Sequence, residues 1–279
     1  MTVLEVLNAA AGFLEKQGVE SPRLNAEHLL AHVLGKKKRI ELYLDFERPL
    51  GEAERAPLRD LVRQRAEGRP LQHLLGTVDF LGNIFAIDAR ALIPRPETEQ
   101  LVELVQKFTT VADPRILDVG TGSGAIALSL AIKYPQSTVF ACDISADALA
   151  LARENAVRHG LESRIAFHQS DLLSGIGGPF DIIVANLPYI PSGEIPGLSR
   201  EVRHDPASAL DGGPDGLALI ARLIDDAPRV LAPGGLLALE LGIGQSSSVG
   251  ALLASKNYRD IAPHPDYQKI ERFLIARHG

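Results

Sequence analysis

Four consecutive residues, Asn186-Leu187-Pro188-Tyr189, follow an apolar run at 180–185 that is typical of a buried strand. Amide and aromatic amine nitrogens are poor nucleophiles because their lone pair is delocalised. The side-chain oxygen of Asn186 can accept one N–H of such a group, and the backbone carbonyl of Leu187 or Pro188 can accept the other. Pro188 restricts the loop, and Tyr189 can stack on the flat face of the group. The tetrapeptide therefore favours a pocket for a planar nitrogen. A simple turn at the end of a strand is the competing interpretation.

A glycine-rich loop provides a second chemical signal. Asp118 precedes glycines at 120, 122 and 124, between a predicted strand and a predicted helix. Asp143 ends the next strand about 20 residues further on, where an acceptor for ribose hydroxyls is expected. The spacing is G-x-G-x-G rather than the G-x-G-x-x-G of dinucleotide sites, and the Asp118 carboxylate would repel a pyrophosphate. A cationic ligand with an amino group and a sulfonium fits this loop better.

The elements that must position these residues divide the chain into three predicted parts. Residues 1–75 show only helical patterns, with glycines at helix ends. Residues 76–93 are typical of a β-hairpin linker. Residues 94–279 alternate between strand and helix, which predicts a mainly parallel sheet with helices on both faces. Ligands of such sheets bind beyond the carboxyl ends of the strands, where the two motifs lie.

Composition narrows the function class. The chain has 279 residues, is 46% hydrophobic and carries a net charge of −6, which argues against a surface devoted to nucleic acid. The one cysteine, Cys142, lies in an apolar strand pattern and is expected to be buried. No Cys/His cluster predicts a metal site. No apolar run approaches the roughly 20 residues that a membrane helix needs, and the first helix is not typical of a signal peptide. We expect a cytoplasmic protein.

The pattern D-x-G-x-G-x-G resembles the first motif of class I S-adenosylmethionine (AdoMet) methyltransferases. The resemblance implies a Rossmann-like α/β fold with a seven-stranded sheet, AdoMet as cofactor and S-adenosylhomocysteine as product. It implies that the glycine loop wraps the methionine part, that Asp143 holds the ribose, and that Asp171 and Leu172 border the adenine. The implied cofactor site comprises Gly120, Thr121, Gly122, Ser123, Gly124, Asp143, Asp171, Leu172 and Asn186.

The tetrapeptide resembles the [D/N/S]-x-P-[Y/F] motif of enzymes that methylate adenine, cytosine or a glutamine amide. Segments 69–103 (with IPRPETE), 205–217 and 239–245 resemble the HemK/PrmC family, which methylates N5 of a glutamine in peptide chain release factors. The resemblance implies that the helical domain binds the release factor. It also implies a substrate site at Asn186, Leu187, Pro188 and Tyr189, of which Asn186, Pro188 and Tyr189 are catalytic. The family usually has proline where this chain has Leu187, and the segment HDP at 204–206 replaces a usual Glu-Pro.

Two other functions compete with this interpretation. A DNA or RNA adenine-N6 methyltransferase could feed a flipped base to the same pocket, although the acidic net charge and the lack of a basic recognition domain count against it. A non-catalytic sensor of AdoMet would not need the amide clamp. The favoured interpretation predicts release factors as protein substrates, no membrane attachment, no stable nucleic-acid complex and a monomer.

Several charged residues near these motifs have other predicted roles. Arg95 and Glu97 are predicted to form an ion pair that stabilises the interdomain joint, in preference to binding AdoMet directly. Glu240 ends a strand and is expected either to support neighbouring groups or to be solvated. Asp205 and Asp211 lie in a long loop, and neither is assigned as a general base.

Overall fold

The computed structural model describes residues 1–279, and the chain falls into two units. The first unit consists of Met1–Thr77 and Ser199–His204, and the second of Val78–Leu198 and Asp205–Gly279. None of the helices is both long enough and apolar enough to cross a membrane. The predicted domain boundaries at 75 and 93 did not include the short segment from the middle of the chain, and the functional division remains a prediction.

The first unit is helical, as its sequence periodicity predicts. Its first helix begins with a capping box, in which the Thr2 hydroxyl accepts from the backbone of Glu5 and the Thr2 backbone donates to the Glu5 carboxylate. Leucines at helical spacing, among them Leu7, Leu14 and Leu29, are fully buried in one core. The elements are α1 (Val3–Lys16), α2 (Pro22–Val33), a 3₁₀ helix (Arg39–Asp45), α3 (Glu52–Ala66) and α4 (Leu71–Leu75).

Arg65 explains why residues 199–204 pack with this helical unit. Its side chain is buried and donates to Asn25 Oδ1 at 2.7 Å, to the Arg69 carbonyl at 3.2 Å and to the Glu201 carboxylate. A buried guanidinium requires partners of this kind, because an unpaired charge in the core is strongly destabilising. The segment at 199–204 therefore supplies the anion that Arg65 needs.

A two-stranded hairpin begins the second unit and confirms the predicted hairpin. Its strands, β1 (Thr77–Phe80) and β2 (Asn83–Ala86), are shorter than the predicted 76–93 range. Leu81 and Gly82 connect them with φ of 51° and 74°. Positive φ at both central residues gives a tight turn whose twist matches that of the two strands.

The rest of the second unit is the predicted α/β fold with a mainly parallel, seven-stranded sheet. The strand order is β5-β4-β3-β6-β7-β9-β8, with β9 antiparallel to both of its neighbours. The strands are β3 (Arg115–Val119), β4 (Thr138–Asp143), β5 (Ile165–Gln169), β6 (Phe180–Ala185), β7 (Leu231–Glu240), β8 (Tyr258–Pro265) and β9 (Glu271–His278). The helices are α5 (Pro96–Phe108), α6 (Ala125–Lys133), α7 (Ala146–Arg158), α8 (Ala218–Asp226) and α9 (Ser246–Ser255).

Both faces of this sheet are covered, because alternate residues of its strands enter two separate cores. In β3, Leu117 and Val119 belong to one core and Ile116 belongs to the other. Strands buried on both faces are typical of parallel sheets between helices, and they explain the continuous apolar runs in the sequence.

The order of the central strands creates the site. β3 pairs in parallel with β4 on one side and with β6 on the other. Val119 lies opposite Ala185 in the register of β3 and β6, so the next residues, Gly120 and Asn186, leave the sheet side by side. The prediction that the strand before Asn186 lies beside the strand before the glycine loop is confirmed.

Candidate active site

The glycine loop after β3 adopts a backbone that other residues rarely adopt. Gly120, Gly122 and Gly124 have φ of 73°, 55° and 83°. A Cβ on Gly124 would lie 2.4 Å from Leu128 Cδ1, and one on Gly120 would lie 2.9 Å from Leu187 Cδ2. Glycine at 124 therefore lets helix α6 pack closely, and glycine at 120 lets the loop lie against the tetrapeptide.

Asp118 fixes this loop from beneath. Its fully buried carboxyl accepts from the Thr121 hydroxyl at 2.6 Å and from the Ala127 backbone at 3.1 Å. Its other oxygen, Oδ1, has no partner in the chain. Burial raises the pKa of Asp118 to about 7, against the lowering effect of the two hydrogen bonds. The loop thus rests on a buried acid that keeps one unused acceptor.

Asp143 lies at the end of β4 and holds the loop from the side. Its Oδ2 accepts from the backbone of Gly122 at 2.9 Å, and its Oδ1 accepts from the backbone of Ser145 at 2.9 Å. Each carboxylate oxygen has two lone pairs, so acceptor capacity remains for further donors such as ribose hydroxyls.

Asn155, on α7, is a positioning residue that the sequence did not reveal. It is fully buried, its Nδ2 donates to the carbonyls of Ser123 at 2.9 Å and Ala86 at 3.0 Å, and its Oδ1 accepts from Ala86 N at 2.7 Å. This amide ties the glycine loop to the hairpin. In the sequence it is one polar residue in an amphipathic helix, and no local pattern distinguishes it from a solvated one.

A cavity of about 240 Å³ lies beyond the strand ends and brings most of the predicted site residues together. Gly124 does not line it, since it lies behind the loop. Asp171 lines it while accepting from Arg222 at 2.8 Å, and Leu172 lines it with a φ of 50°. The predicted residues that line the cavity are Gly120, Thr121, Gly122, Ser123, Asp143, Asp171, Leu172, Asn186, Leu187 and Pro188.

Two other segments line this cavity and were not predicted as site residues. Arg90, Ala91, Leu92 and Pro94 come from the connection after the hairpin, and Pro206, Ser208 and Ala209 come from the long loop. The IPRPETE motif was the one sequence signal near the first segment. The lining positions themselves follow no local pattern, because they depend on how the two segments fold over the sheet.

Asn186 is half-buried at the cavity wall, and contacts within the chain hold its nitrogen. Its Nδ2 donates to Thr98 Oγ1 at 3.1 Å, and no hydrogen bond within the chain reaches its Oδ1. Thr98 lies in the first turn of α5 and also lines the cavity. Holding the nitrogen leaves the oxygen as the available acceptor, which a substrate N–H group requires.

The remaining tetrapeptide residues behave differently from one another. Leu187 is buried in a core and packs against Gly120, so packing anchors the loop where the family usually has proline. Tyr189 does not line the cavity, and its carbonyl accepts from Gln245 Nε2 at 2.9 Å. Burial raises the pKa of Tyr189 to about 12, so its hydroxyl stays protonated at physiological pH.

The predicted ion pair between Arg95 and Glu97 is wrong. Arg95 instead donates to Asp205 Oδ2 at 2.7 Å, and the other oxygen of Asp205 accepts from Ile93 N at 3.3 Å. Asp205 is almost fully buried, so it is the stronger partner for a guanidinium. This contact connects the long loop to the segment before α5. Glu97 lies in the first turn of α5, where an acid complements the helix dipole.

Three further predictions concern isolated side chains. Glu240 is 2% exposed, so the alternative that it is solvated is wrong. Asp211 is exposed and accepts from Ser192 Oγ and Gly213 N, which makes it a residue of the loop structure. Cys142 is buried as predicted, and burial raises its pKa to about 12, which disfavours the thiolate.

Comparisons with known proteins identify the family of this chain. Residues 5–76 match the PrmC N-terminal domain, and residues 98–200 match the methyltransferase small domain. The release factor glutamine methyltransferase of Deinococcus radiodurans is 42% identical over 278 residues, covering 99% of both chains. That of Chlorobaculum tepidum is 42% identical over 285 residues, covering 98% of this chain and 96% of its own. The chain belongs to the release factor glutamine methyltransferase family.

Solved structures confirm the methyltransferase fold of this family member. A methyltransferase from Pyrococcus furiosus gives a TM-score of 0.54 at 20% identity and covers 71% of this chain and 90% of its own. The hMettl16 catalytic domain in complex with a 3′UTR hairpin gives a TM-score of 0.61 at 18% identity, covering 79% of this chain and 82% of its own. At these identities the likeness concerns the fold alone.

Proposed function

We propose that this chain transfers a methyl group from AdoMet to the side-chain amide nitrogen, N5, of the glutamine in the Gly-Gly-Gln loop of peptide chain release factors. Membership of the release factor glutamine methyltransferase family supports the reaction. The structural observation that carries the proposal is the position of Asn186. It lies beside the glycine loop, its nitrogen is bonded to Thr98, and its oxygen remains an acceptor at the cavity wall.

The residues around the cavity fit AdoMet. Asp118 does not line the cavity itself, but its buried carboxyl fixes Thr121 of the glycine loop, which does. Asp143 has lone pairs for the ribose hydroxyls, and Asp171 and Leu172 form a wall for the adenine. When bound, AdoMet supplies an electrophilic methyl group on its sulfonium. The contribution of the chain is to orient the reacting groups and to remove water from between them.

The tetrapeptide provides the other half of the reaction. Asn186 Oδ1 accepts one N–H of the substrate amide, and the carbonyl of Leu187 or Pro188 accepts the other. Two acceptors fix the amide plane and favour the positive charge that develops on nitrogen. The nitrogen gains a methyl group and loses one proton, which passes to water, so this step needs no general base. We assign Tyr189 to the rigid edge of the substrate site, because Gln245 holds its backbone.

Adenine N6 presents the same two N–H groups, so the clamp by itself does not distinguish a base from a glutamine. Full-length membership of the glutamine methyltransferase family favours a protein substrate over a nucleic acid. The net charge of −6 agrees with this choice, since nucleic-acid enzymes gain affinity from basic surfaces. We therefore do not favour an adenine-N6 methyltransferase.

The helical unit is the proposed binding site for the body of the release factor. Helices α1 and α3 form an apolar groove there, lined by Val6, Ala10, Phe13, Leu58 and Val62 with arginines at its rim. The proposal further includes action as a monomer in the cytoplasm, without a stable nucleic-acid complex. Binding to the release factor should then depend weakly on salt compared with binding to nucleic acid.

A competition assay tests the proposed function. Purified release factor and adenine-containing DNA and RNA are incubated together with the enzyme and labelled AdoMet, and mass spectrometry locates the methyl group. We expect one methyl group on the glutamine side chain of Gly-Gly-Gln and none on the nucleic acids. A release factor with alanine in place of that glutamine is the matched control and should remain unlabelled. Label on adenine, or on other residues of the control protein, would contradict the proposal.

A further inference from the structure

Behind Asn186 lies a short line of polar groups that the proposed function does not use. Asn186 Nδ2 donates to Thr98 Oγ1 at 3.1 Å. The side chains of Thr98 and Asn186 both lie beside the Glu240 carboxyl, at the end of β7, and act on it as hydrogen-bonding neighbours. Thr98 is 4% exposed and Glu240 is 2% exposed, so solvent does not satisfy these groups. One carboxyl oxygen, Glu240 Oε2, has no partner at all.

The chemistry of these groups determines which of them donates and which accepts each hydrogen bond in this line. An ionised carboxylate only accepts hydrogen bonds, whereas a hydroxyl both donates and accepts. Thr98 must therefore point its O–H at Glu240, which leaves Thr98 Oγ1 to accept from a neighbour. That neighbour is the Asn186 side chain, and only its nitrogen end can donate. An ionised Glu240 thus compels the Asn186 amide to place its nitrogen inward and leaves its oxygen for the substrate.

We propose that Glu240, acting both directly and through Thr98, is the positioning residue that determines which end of the Asn186 amide meets the substrate glutamine. The inference rests on the proposed function, since it explains how the clamp keeps an acceptor where the substrate N–H arrives. An amide rotated by half a turn would present N–H to N–H and would repel the substrate. The side-chain amide has no preference of its own between these two orientations, so the partner behind it must set the choice.

The surroundings of Glu240 make its ionisation state part of this mechanism. Burial raises its pKa to about 7, and Glu97 on α5 raises it further, whereas Thr98, Arg272 on β9 and Asn186 lower it. Arg272 Nε donates to Asp266 at 2.8 Å, and the positive charge of the guanidinium acts on Glu240. Tyr189 faces the same region and stays neutral. A protonated Glu240 can donate to Thr98 and reverse these hydrogen bonds, so the fraction of correctly oriented Asn186 should fall as the pH drops through about 7.

Three variants test the proposal through the rate of methyl transfer to a purified release factor at saturating AdoMet. Thr98→Val removes the hydroxyl, and Glu240→Gln allows the reversed line. Each should lower kcat by about ten- to a hundredfold. This is the range known for groups that hydrogen-bond to a metal-ligating side chain and orient it. The KM for release factor and the AdoMet affinity by calorimetry should change less than threefold or so, since neither site is removed. Thr98→Ser, which keeps the hydroxyl, should restore most of the rate.

Two readouts separate orientation from a merely structural role. The kcat of the unmodified chain should rise with pH through about 7, and this limb should disappear in Glu240→Gln and become weaker in Thr98→Val. The double variant should be no slower than Glu240→Gln alone, because the Thr98 hydroxyl acts on Asn186 only in response to Glu240. The inference would be overturned if the kcat of Thr98→Ser were as low as that of Thr98→Val, or if the low-pH part of the kcat profile were unchanged in Glu240→Gln. It would also be overturned if the losses of kcat multiplied in the double variant.

The controls also distinguish this inference from the proposed function. If the unmodified chain transfers no methyl group to the release factor, the proposed function fails. If it does so and the Thr98 and Glu240 variants match its rate and pH profile, the proposed function stands and the positioning role of Glu240 is refuted. Calorimetric binding of AdoMet shows that each variant is folded.

Discussion

At the scale of single residues, the site depends on polar side chains whose capacity is divided between the chain and its ligands. Asp143 uses part of its carboxylate to hold the glycine loop and keeps lone pairs for a ligand. Asn186 gives its nitrogen to Thr98 and keeps its oxygen. A side chain that is half satisfied within the protein is oriented before the ligand arrives, which lowers the entropic cost of binding.

Asp143→Ala should weaken AdoMet binding by about 1.5–3 kcal/mol, the scale of hydrogen bonds to a charged group. The loss corresponds to roughly ten- to 150-fold in the dissociation constant by calorimetry. Asp147→Ala is the matched control, because Asp147 is an exposed acid in the first turn of the next helix. Unchanged affinity in Asp143→Ala, or an equal loss in both variants, would remove Asp143 from the cofactor site.

The sequence predicted these residues unevenly, for a physical reason. Glycines, Asp143 and the tetrapeptide lie next to each other or at strand ends, so local patterns and the topology of parallel sheets point to them. Asn155, Thr98 and Glu240 act across distant parts of the chain. Their roles depend on which backbone or side-chain atoms they meet after folding. In the sequence a buried polar residue of this kind has the same neighbours as a solvated one.

At the scale of elements, Gly124 trades conformational freedom for close packing between the start of α6 and helix α7. Gly124 has a φ of 83° and would bring a Cβ to 2.4 Å from Leu128 and 3.1 Å from Ala152. Helix α6 can therefore begin directly behind the loop. This arrangement aims the backbone of the loop at the cavity.

Gly124→Ala should lower the free energy of unfolding by about 2–6 kcal/mol, because positive φ and overpacking each cost about 1–3 kcal/mol. Gly160→Ala is the control that isolates the backbone term. Gly160 also has a positive φ, 67°, but a Cβ there meets nothing within 4 Å. Its loss should be about 1 kcal/mol. Denaturant unfolding of both variants measures the difference, and equal losses would contradict the packing argument.

The elements themselves were largely predictable, and their long-range connections were not. Alternation of strand and helix patterns, helix caps and the hairpin turn all follow from local periodicity and turn chemistry. The pairing of Arg95 was predicted with its neighbour Glu97, and the buried acid Asp205 proved to be the partner. Arg65 likewise takes Glu201 from a distant loop. The partner that an arginine takes depends on which acids are buried near it, and the sequence alone does not specify burial for a loop residue.

At the scale of the whole molecule, two buried acids link stability to pH. Burial raises the pKa of both Asp118 and Glu240 to about 7, from ordinary values of 3.8 and 4.5. Between the ordinary and the raised pKa the folded chain holds protons that the unfolded chain has lost. The stabilisation is therefore fully present at low pH and is lost as the pH rises through 7.

The ligand-free chain should be less stable at pH 8 than at pH 5, with each buried acid contributing on the order of 2 kcal/mol. Glu240→Gln should remove its share of this slope. Asp211→Asn should not, because hydrogen bonds from Ser192 and Gly213 lower the pKa of Asp211 below this range. Denaturant unfolding at several pH values measures the slope. A slope that is identical in the chain and in Glu240→Gln would contradict the assignment.

The same acids suggest why this instability is retained. Asp118 anchors the glycine loop that lines the proposed cofactor cavity, and Glu240 lies behind the amide clamp. The site needs these two carboxyls in their ionised form, whereas the folded chain is more stable when they are neutral. Stability and activity should therefore change in opposite directions across neutral pH, as is common where function needs buried charge.

The most direct test of the account is the rate of methyl transfer to a release factor by Asn186→Ala at saturating AdoMet. Removing one acceptor from the clamp should lower the rate by about 10²–10³-fold, as the loss of one oriented hydrogen bond to a developing charge does elsewhere. AdoMet binding by calorimetry should remain measurable, which shows that the cavity is intact. Transfer by Asn186→Ala at the rate of the unmodified chain would contradict the account.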